Sequence, residues 1–296
     1  MTTNSTFRVG SITKSFVAAL VVKLAHDGRL RLDDPVARWL PGRVPNGDSI
    51  TIRQLLRHTS GLFDYSTDPR LFDAMFRPTA QRFTPLELLA IGTSHPPLFS
   101  PGTRWSYSST NYIALGLVLQ AAANMPVEQL LQRRIVRPLN LSRTSLPKTA
   151  AMPAPFARGY LLPGAPGNPT RAPFETTAVG VTWSWAAGGI VSSARDVARF
   201  YSALLQGRLV PPRLLAQMTA TVPAEDGGYG LGLKRARLGC GDAWGHNGSV
   251  PGYSTYVLQS RHADRQLVVL VNGVPGSSAQ RAAVDSLVAA AFCALR

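Results

Sequence analysis

Ser11 and Lys14, in the run FRVGSITKSFVAAL, stand three residues apart at the head of an apolar stretch, and Lys14 is one of only four lysines in the chain. Positions three apart on a helix share a face, one turn from each other, so hydroxyl and amine point the same way. A helix start offers unsatisfied backbone N–H groups and the positive end of the helix dipole, both suited to a developing oxyanion. A lysine held in a partly desolvated cleft gives up its proton readily and then acts as a base toward a neighbouring hydroxyl. The pair therefore suits nucleophilic acyl transfer. Taken alone, Ser-x-x-Lys more often describes two side chains that merely share a helix surface.

Two further patches change that balance. PGTRWSYSSTNY puts Tyr107, Ser109 and Asn111 at the start of another strongly apolar run, after a Pro-Gly turn. A buried tyrosine beside a cation serves as a proton carrier once its pKa is lowered. The plainer reading is a core aromatic with a hydrogen-bonded hydroxyl. AWGHNGSVPGY sets His246 and Gly248 among small residues, at a strand-like position where backbone can approach a ligand closely. A lone histidine is usually structural. Three such patches in one chain weaken the plain readings together.

The elements that must position them follow from periodicity. Phe16, Ala19, Leu20, the stem of Lys23 and Leu24 recur at helical spacing, which places Ser11 at or near a helix N-terminus. ITIRQLLRHTSGLFDY predicts a short helix from Thr51 to His58, capped by Ser60-Gly61. TPLELLAIG, PVEQLLQRRIVRPL and SARDVARFYSALLQG are further helices, and TNYIALGLVLQAAANM is apolar enough to be buried. The Pro- and Gly-rich stretch from Ala151 to Pro173 reads as loop. Near the end, YGLGLKRARLG, YSTYVLQS and RQLVVLVNGV predict three strands of an antiparallel meander, closed by an amphipathic helix over SAQRAAVDSLVAAAFCALR. The layout is α+β.

A chain of 296 residues with 45% hydrophobic residues buries a substantial core, and one domain with a large insertion is the simplest division. No apolar run is long enough to span a bilayer, and the first residues carry no signal-peptide pattern. The formal charge of +15 sets 31 Lys and Arg against 16 Asp and Glu, and the cations are mostly arginines scattered singly among apolar residues. With no basic stripe interleaved with aromatics, this argues against specific nucleic-acid binding and for a basic surface drawn to anionic polymers or membranes. Cys240 and Cys293 cannot form a metal site by themselves; composition leaves two buried thiols or one disulfide open.

Together these stretches resemble the serine penicillin-recognising enzymes of the class C β-lactamase type, and most of all the secreted actinobacterial D-alanyl-D-alanine carboxypeptidases; Ser-x-x-Lys is a motif of that wider superfamily. The likeness rests on FRVGSITKSFVAAL, ITIRQLLRHTSGLFDY, PGTRWSYSSTNYIALG, AAGGIVSSARDVARF, YGLGLKRARLGCG, GHNGSVPGYSTYV and AAFCALR, nearly end to end. It implies a β-lactamase/transpeptidase-like α+β fold: an antiparallel sheet flanked by helices (1–32 and 180–296), a mostly helical inserted domain (33–179), and the site at their junction. It implies Ser11 as acylated nucleophile, Lys14 as the group that deprotonates it or poises its base, Tyr107 as proton relay, and His246 with Gly248 as the third motif. The N–H groups of Ser11 and Ser249 would form the oxyanion hole. Ser109, Trp183, Lys234, Asn247 and Gly248 would contact substrate. No cofactor or metal is implied.

The chain departs from the family pattern in places. Ser109 stands where an amide-binding asparagine is expected, and Lys234 where an arginine would pair with the substrate carboxylate, so the bidentate fork is lost. Only ten residues precede Ser11, where the family has about two strands, so the gene product is expected to start upstream, with those strands and a signal peptide. The resemblance also implies a Cys240–Cys293 disulfide, hence an extracellular or cell-surface location. Expected partners are peptidoglycan peptides ending in D-Ala-D-Ala or a related small acyl substrate, with β-lactams as acylating inhibitors. An esterase or β-lactamase-like hydrolase on the same scaffold, and a catalytically silent cell-wall peptide-binding homologue, are the alternatives.

Overall fold

The computed structural model describes residues 1–76, 82–180, 182–224 and 227–295. A short strand β1 (Thr6–Arg8) leads through a 3-10 turn, Gly10–Ile12, into helix α1 (Thr13–His26). Helix α1 is apolar on nearly every side, and such a helix has to be central. From Thr13 to Val22 every residue is buried. Phe16 stacks on Phe200 with ring centroids 3.7 Å apart, and Ser15 Oγ accepts from Tyr201 at 2.7 Å while donating to Gly232 O.

One side of α1 meets a helical region made of α2 (Ile52–Arg57), α3 (Pro69–Phe76), α4 (Pro85–Thr93), α5 (Thr110–Ala123) and α6 (Val127–Leu131). Two of these helices start with reciprocal capping boxes, Thr51 with Gln54 and Thr84 with Glu87. Helix α5 is buried from Thr110 to Leu119, as its composition demands. Helix α2 does not end on Ser60-Gly61 as expected. His58 itself takes the left-handed conformation (φ 61°) and returns its N–H to Gln54 and Leu55 carbonyls. Among non-glycine residues histidine is one of those found most readily in this region.

The stretch read as loop holds β2 (Tyr160–Leu161), which pairs with β3 (Phe174–Glu175). Then come α7 (Trp185–Gly188), β4 (Val191–Ser193), which pairs antiparallel with β1, and helices α8 (Ala194–Leu205) and α9 (Pro212–Thr219). The main sheet has five strands rather than three: β5 (Gly227–Tyr229), β6 (Lys234–Leu238), β7 (Gly241–Val250), β8 (Tyr253–Ser260) and β9 (Gln266–Val271), antiparallel and side by side in that order. Strand β7, strand-like at His246 and Gly248 but not counted in the expected meander, is rich in glycine, which lowers strand propensity. Its glycines permit close backbone approach: a β-carbon on Gly248 would lie 2.2 Å from Val9 O. After it, β10 (Gly273–Val274) pairs in parallel with β2, and α10 (Ser278–Ala294) ends the described chain.

Cys240, in the β6–β7 turn, is joined to Cys293 of α10, with Cα atoms 5.6 Å apart across 53 residues. Composition had left this pairing open. The fold is thus a mixed α+β architecture with a central sheet, flanking helices and an inserted helical region, the β-lactamase/transpeptidase arrangement.

Candidate active site

Three elements converge where α1 begins. The 3-10 turn ahead of α1 carries Ser11, and the first turn of α1 carries Lys14. The segment entering α5 carries Tyr107, and β7 passes alongside. Lys14 Nζ lies 3.1 Å from Ser11 Oγ and donates to Ala187 O of α7 at 2.7 Å. Tyr107 donates its hydroxyl to Ser11 Oγ at 2.8 Å. One serine oxygen is therefore in hydrogen-bond reach of both an amine and a phenol, the geometry of an activated nucleophile.

Burial sets the protonation states. Lys14 is 1% exposed, and that desolvation lowers its pKa from 10.5 to about 7; Asp64 opposes the shift and Lys234 adds to it. The amine is thus poised to accept a proton near neutrality. Tyr107 moves the other way from the sequence-based expectation. Burial raises its pKa well above 10, and the hydrogen bond to Ser11 offsets only part of this. The reason is physical: a phenolate loses more solvation in this site than Lys14, itself ready to become neutral, returns. Tyr107 is a neutral proton donor here.

The strand side is shaped by glycine. A β-carbon on Gly10, whose φ is 54°, would meet Ser249 N at 2.8 Å, and one on Gly248 would meet Ser11 N at 2.9 Å. Bulkier residues would push β7 away from the nucleophile turn. With glycine at both positions, the Ser11 and Ser249 amides share one corner of the cleft.

That cleft has a volume of about 390 Å³. Ser11, Lys14, Tyr107, Ser109, Trp183, Lys234, Asn247, Gly248 and Ser249, all expected from sequence, line it. His246 does not line it. Its ring centroid lies 6.5 Å from that of Tyr107, behind it, with Nε2 2.9 Å from Tyr229 OH, and burial followed by Lys234 holds it well below its ordinary pKa. Asn111 is buried beneath the cleft, where it accepts from Ser60 Oγ and contacts His58. Ser109, at the N-cap of α5, makes no capping bond with its side chain and faces the cleft.

Sequence reasoning missed Tyr65, Ser66, Trp105, Ser184, Ala187, Gly188 and Val250, which complete the walls. Tyr65 donates to Trp183 O at 2.7 Å and so ties the two sides together. Ala187 contributes only a carbonyl, which no side-chain pattern announces. Among the described residues, no group of three or more His, Cys, Asp or Glu could hold a metal ion, and no helix is long and apolar enough to cross a membrane.

A serine in hydrogen-bond reach of a lysine and a tyrosine, on this fold, fits the penicillin-binding-protein and β-lactamase superfamily of serine hydrolases. The chain belongs to the Beta-lactamase family, whose sequence model matches residues 1–291. It is similar to the D-stereospecific amidohydrolase from Streptomyces sp., a solved structure, with 38% identity and a TM-score of 0.86 over 91% of this chain and 83% of that one. It is 28% identical to penicillin-binding protein 4* of Bacillus subtilis, over 91% of this chain and 61% of that protein. It is also 29% identical to esterase EstB of Burkholderia gladioli, over 79% of this chain and 66% of that protein. The chain thus spans about three fifths to two thirds of the length of these two curated relatives. With an amidohydrolase, a penicillin-binding protein and an esterase side by side, the comparisons favour neither class C nor the D-alanyl-D-alanine carboxypeptidases.

Proposed function

We propose that this chain hydrolyses the amide bond of small D-configured acyl substrates through an acyl-enzyme on Ser11. D-amino-acid amides and peptides ending in D-Ala-D-Ala are the candidate substrates. The observation that carries the proposal is the double contact of Ser11 Oγ, with Lys14 Nζ at 3.1 Å and Tyr107 OH at 2.8 Å. The 38% identity to an amidohydrolase described as D-stereospecific supports the choice of substrate class.

In this reading the neutral Lys14 amine takes the Ser11 proton as Oγ bonds to the substrate carbonyl carbon. The carbonyl oxygen becomes an oxyanion, held by the N–H groups of Ser11 and Ser249. Tyr107 passes a proton to the leaving nitrogen as the C–N bond breaks, and is reprotonated from Lys14. Water then attacks the ester, giving its proton to the same base system, and Ser11 Oγ leaves with a proton. Trp183 walls the acyl group, while Lys234 and Asn247 stand where a carboxylate or amide of the substrate would lie. His246 touches no substrate and supports Tyr229 behind Tyr107.

A second reading, an esterase, is favoured by Ser109, whose short hydroxyl reaches less far toward a substrate amide than asparagine would. A silent binder would have no use for a desolvated lysine beside a serine. The disulfide accords with an oxidising, extracytoplasmic location. The test is incubation with benzylpenicillin, D-phenylalanine amide, L-phenylalanine amide and a p-nitrophenyl ester, followed by intact-mass and turnover measurements. Expected are an acyl adduct on Ser11 and preference for the D- over the L-amide. Absence of both adduct and turnover would overturn the enzyme reading, and ester turnover alone would favour the esterase.

A further inference from the structure

His58 is fully buried and outside the cleft lining, yet it contacts Tyr107 and both of its chain neighbours. Its main-chain carbonyl accepts from Ser106 N at 3.0 Å, and its ring Nδ1 accepts from Ser108 N at 3.1 Å. Those two amides belong to the residues on either side of Tyr107. The imidazole itself lies against the Tyr107 ring, centroids 4.4 Å apart and planes inclined by 30°. One residue thus brackets Tyr107 along the backbone and packs against its side chain.

The hydrogen-bond chemistry determines which form of the ring does this. A backbone N–H can only donate, so Nδ1 carries no proton. The Asn111 amide, 3.1 Å from the same nitrogen, is then also a donor, and its Oδ1 accepts from Ser60 Oγ at 2.6 Å. Ser60 Oγ in turn accepts from Leu62 N at 3.1 Å. The chain of donors runs in one direction and ends on His58 Nδ1, so the ring is neutral with its proton on Nε2. That Nε2 is buried without a hydrogen-bond partner. A residue kept for stability alone would be poorly served by such a group.

We infer that His58 is a positioning residue for Tyr107: neutral and left-handed, it aims the phenol hydroxyl at Ser11 Oγ so that the proton can pass to the leaving nitrogen. The inference rests on the role of Tyr107 as proton donor in the proposed reaction. It makes a prediction that general destabilisation does not. An amide nitrogen must be protonated to leave, whereas p-nitrophenolate leaves without a proton. Misplacing Tyr107 should therefore harm amide substrates selectively.

Two variants separate ring from acceptor. His58→Asn keeps an acceptor near the Nδ1 position and a residue tolerant of φ 61°, but removes the packed ring. His58→Phe keeps a ring and removes the acceptor, leaving Ser108 N–H and the Asn111 amide unpaired. Measured as kcat/KM, which reports acylation, His58→Asn should lose about 10-fold and His58→Phe about 100-fold on the amide, within the range of one general-acid contribution. Loss on the p-nitrophenyl ester should stay within a few-fold. In a Tyr107→Phe background neither substitution should lower amide turnover further. If His58→Phe fails to fold, the same comparison with His58→Asn decides. Equal losses on amide and ester, or a full additional loss in the Tyr107→Phe background, would overturn the assignment. Inactivity of the unsubstituted protein on every substrate would instead strike at the proposed reaction itself.

Discussion

The protonation of Lys14 has a thermodynamic signature that needs no substrate. In the unfolded chain its amine has the ordinary pKa of 10.5, and in the fold burial lowers this to about 7. Between those values the unfolded state binds the proton and the folded state does not. Stability therefore rises with pH across this window. At about 1.4 kcal/mol per pH unit, the buried amine costs the fold about 5 kcal/mol below pH 6, and this cost fades as pH climbs from 7 toward 10.5. Lys14→Met removes the titrating group and keeps an unbranched apolar chain. Urea unfolding of both proteins at pH 7 and pH 9 isolates the lysine, because groups that do not feel Lys14 cancel in the difference and the buried histidines it depresses, His58 and His246, are neutral at both pH values. The parent should gain about 2 kcal/mol on Lys14→Met between the two pH values. The same proton should appear in kinetics as an acidic limb near pH 7 in kcat/KM, since only the neutral amine can take the Ser11 proton. Parallel stability profiles for the two proteins would show that Lys14 keeps its ordinary pKa in the fold and cannot be the base. A kinetic limb without the stability difference would assign the titration to another group.

Tyr107→Phe should leave the melting temperature within a few degrees and lower amide turnover by about 100-fold or more, because a proton donor is lost and packing is not; unchanged turnover would move the acid elsewhere. Ser109→Asn should raise the ratio of amide to ester turnover, since a longer side chain at the cleft wall can hydrogen-bond the substrate amide, and a ratio that does not move would remove position 109 from specificity. Reduction of Cys240–Cys293, which closes 53 residues of chain, should cost about 4 kcal/mol in unfolding experiments with and without reductant. Ellman titration of the unfolded, unreduced protein should find no free thiol, and two thiols would contradict the pairing. Gly248→Ala should cut acylation sharply, because its methyl would meet Val9 O at 2.2 Å and drive β7 from Ser11; full activity would mean that β7 has no part in the site.

What could be read along the chain was whatever depends on neighbours in sequence. Ser11 and Lys14 share a face because a helix repeats every 3.6 residues, and the apolar composition of α1 and α5 demands burial wherever they pack. The same local logic found helices α2 and α4 and the closing helix, though not the residue on which α2 ends. It failed where local and distant requirements disagree. The stretch around His246 and Gly248 read as strand-like but was not counted in the meander, because glycine is a poor strand former; yet glycine stands at 248 because Val9 and Ser11, more than two hundred residues earlier, lie against it. His58 was taken for the last residue of a helix, and its hold on residues 106 and 108 exists only once α2 and α5 are packed together. The direction of the Tyr107 shift was misjudged for a related reason. A sequence can place a cation beside a phenol, but whether that cation stays charged depends on how much water the fold excludes from both. Only packing decides desolvation, and desolvation decides which member of this site gives a proton and which takes it.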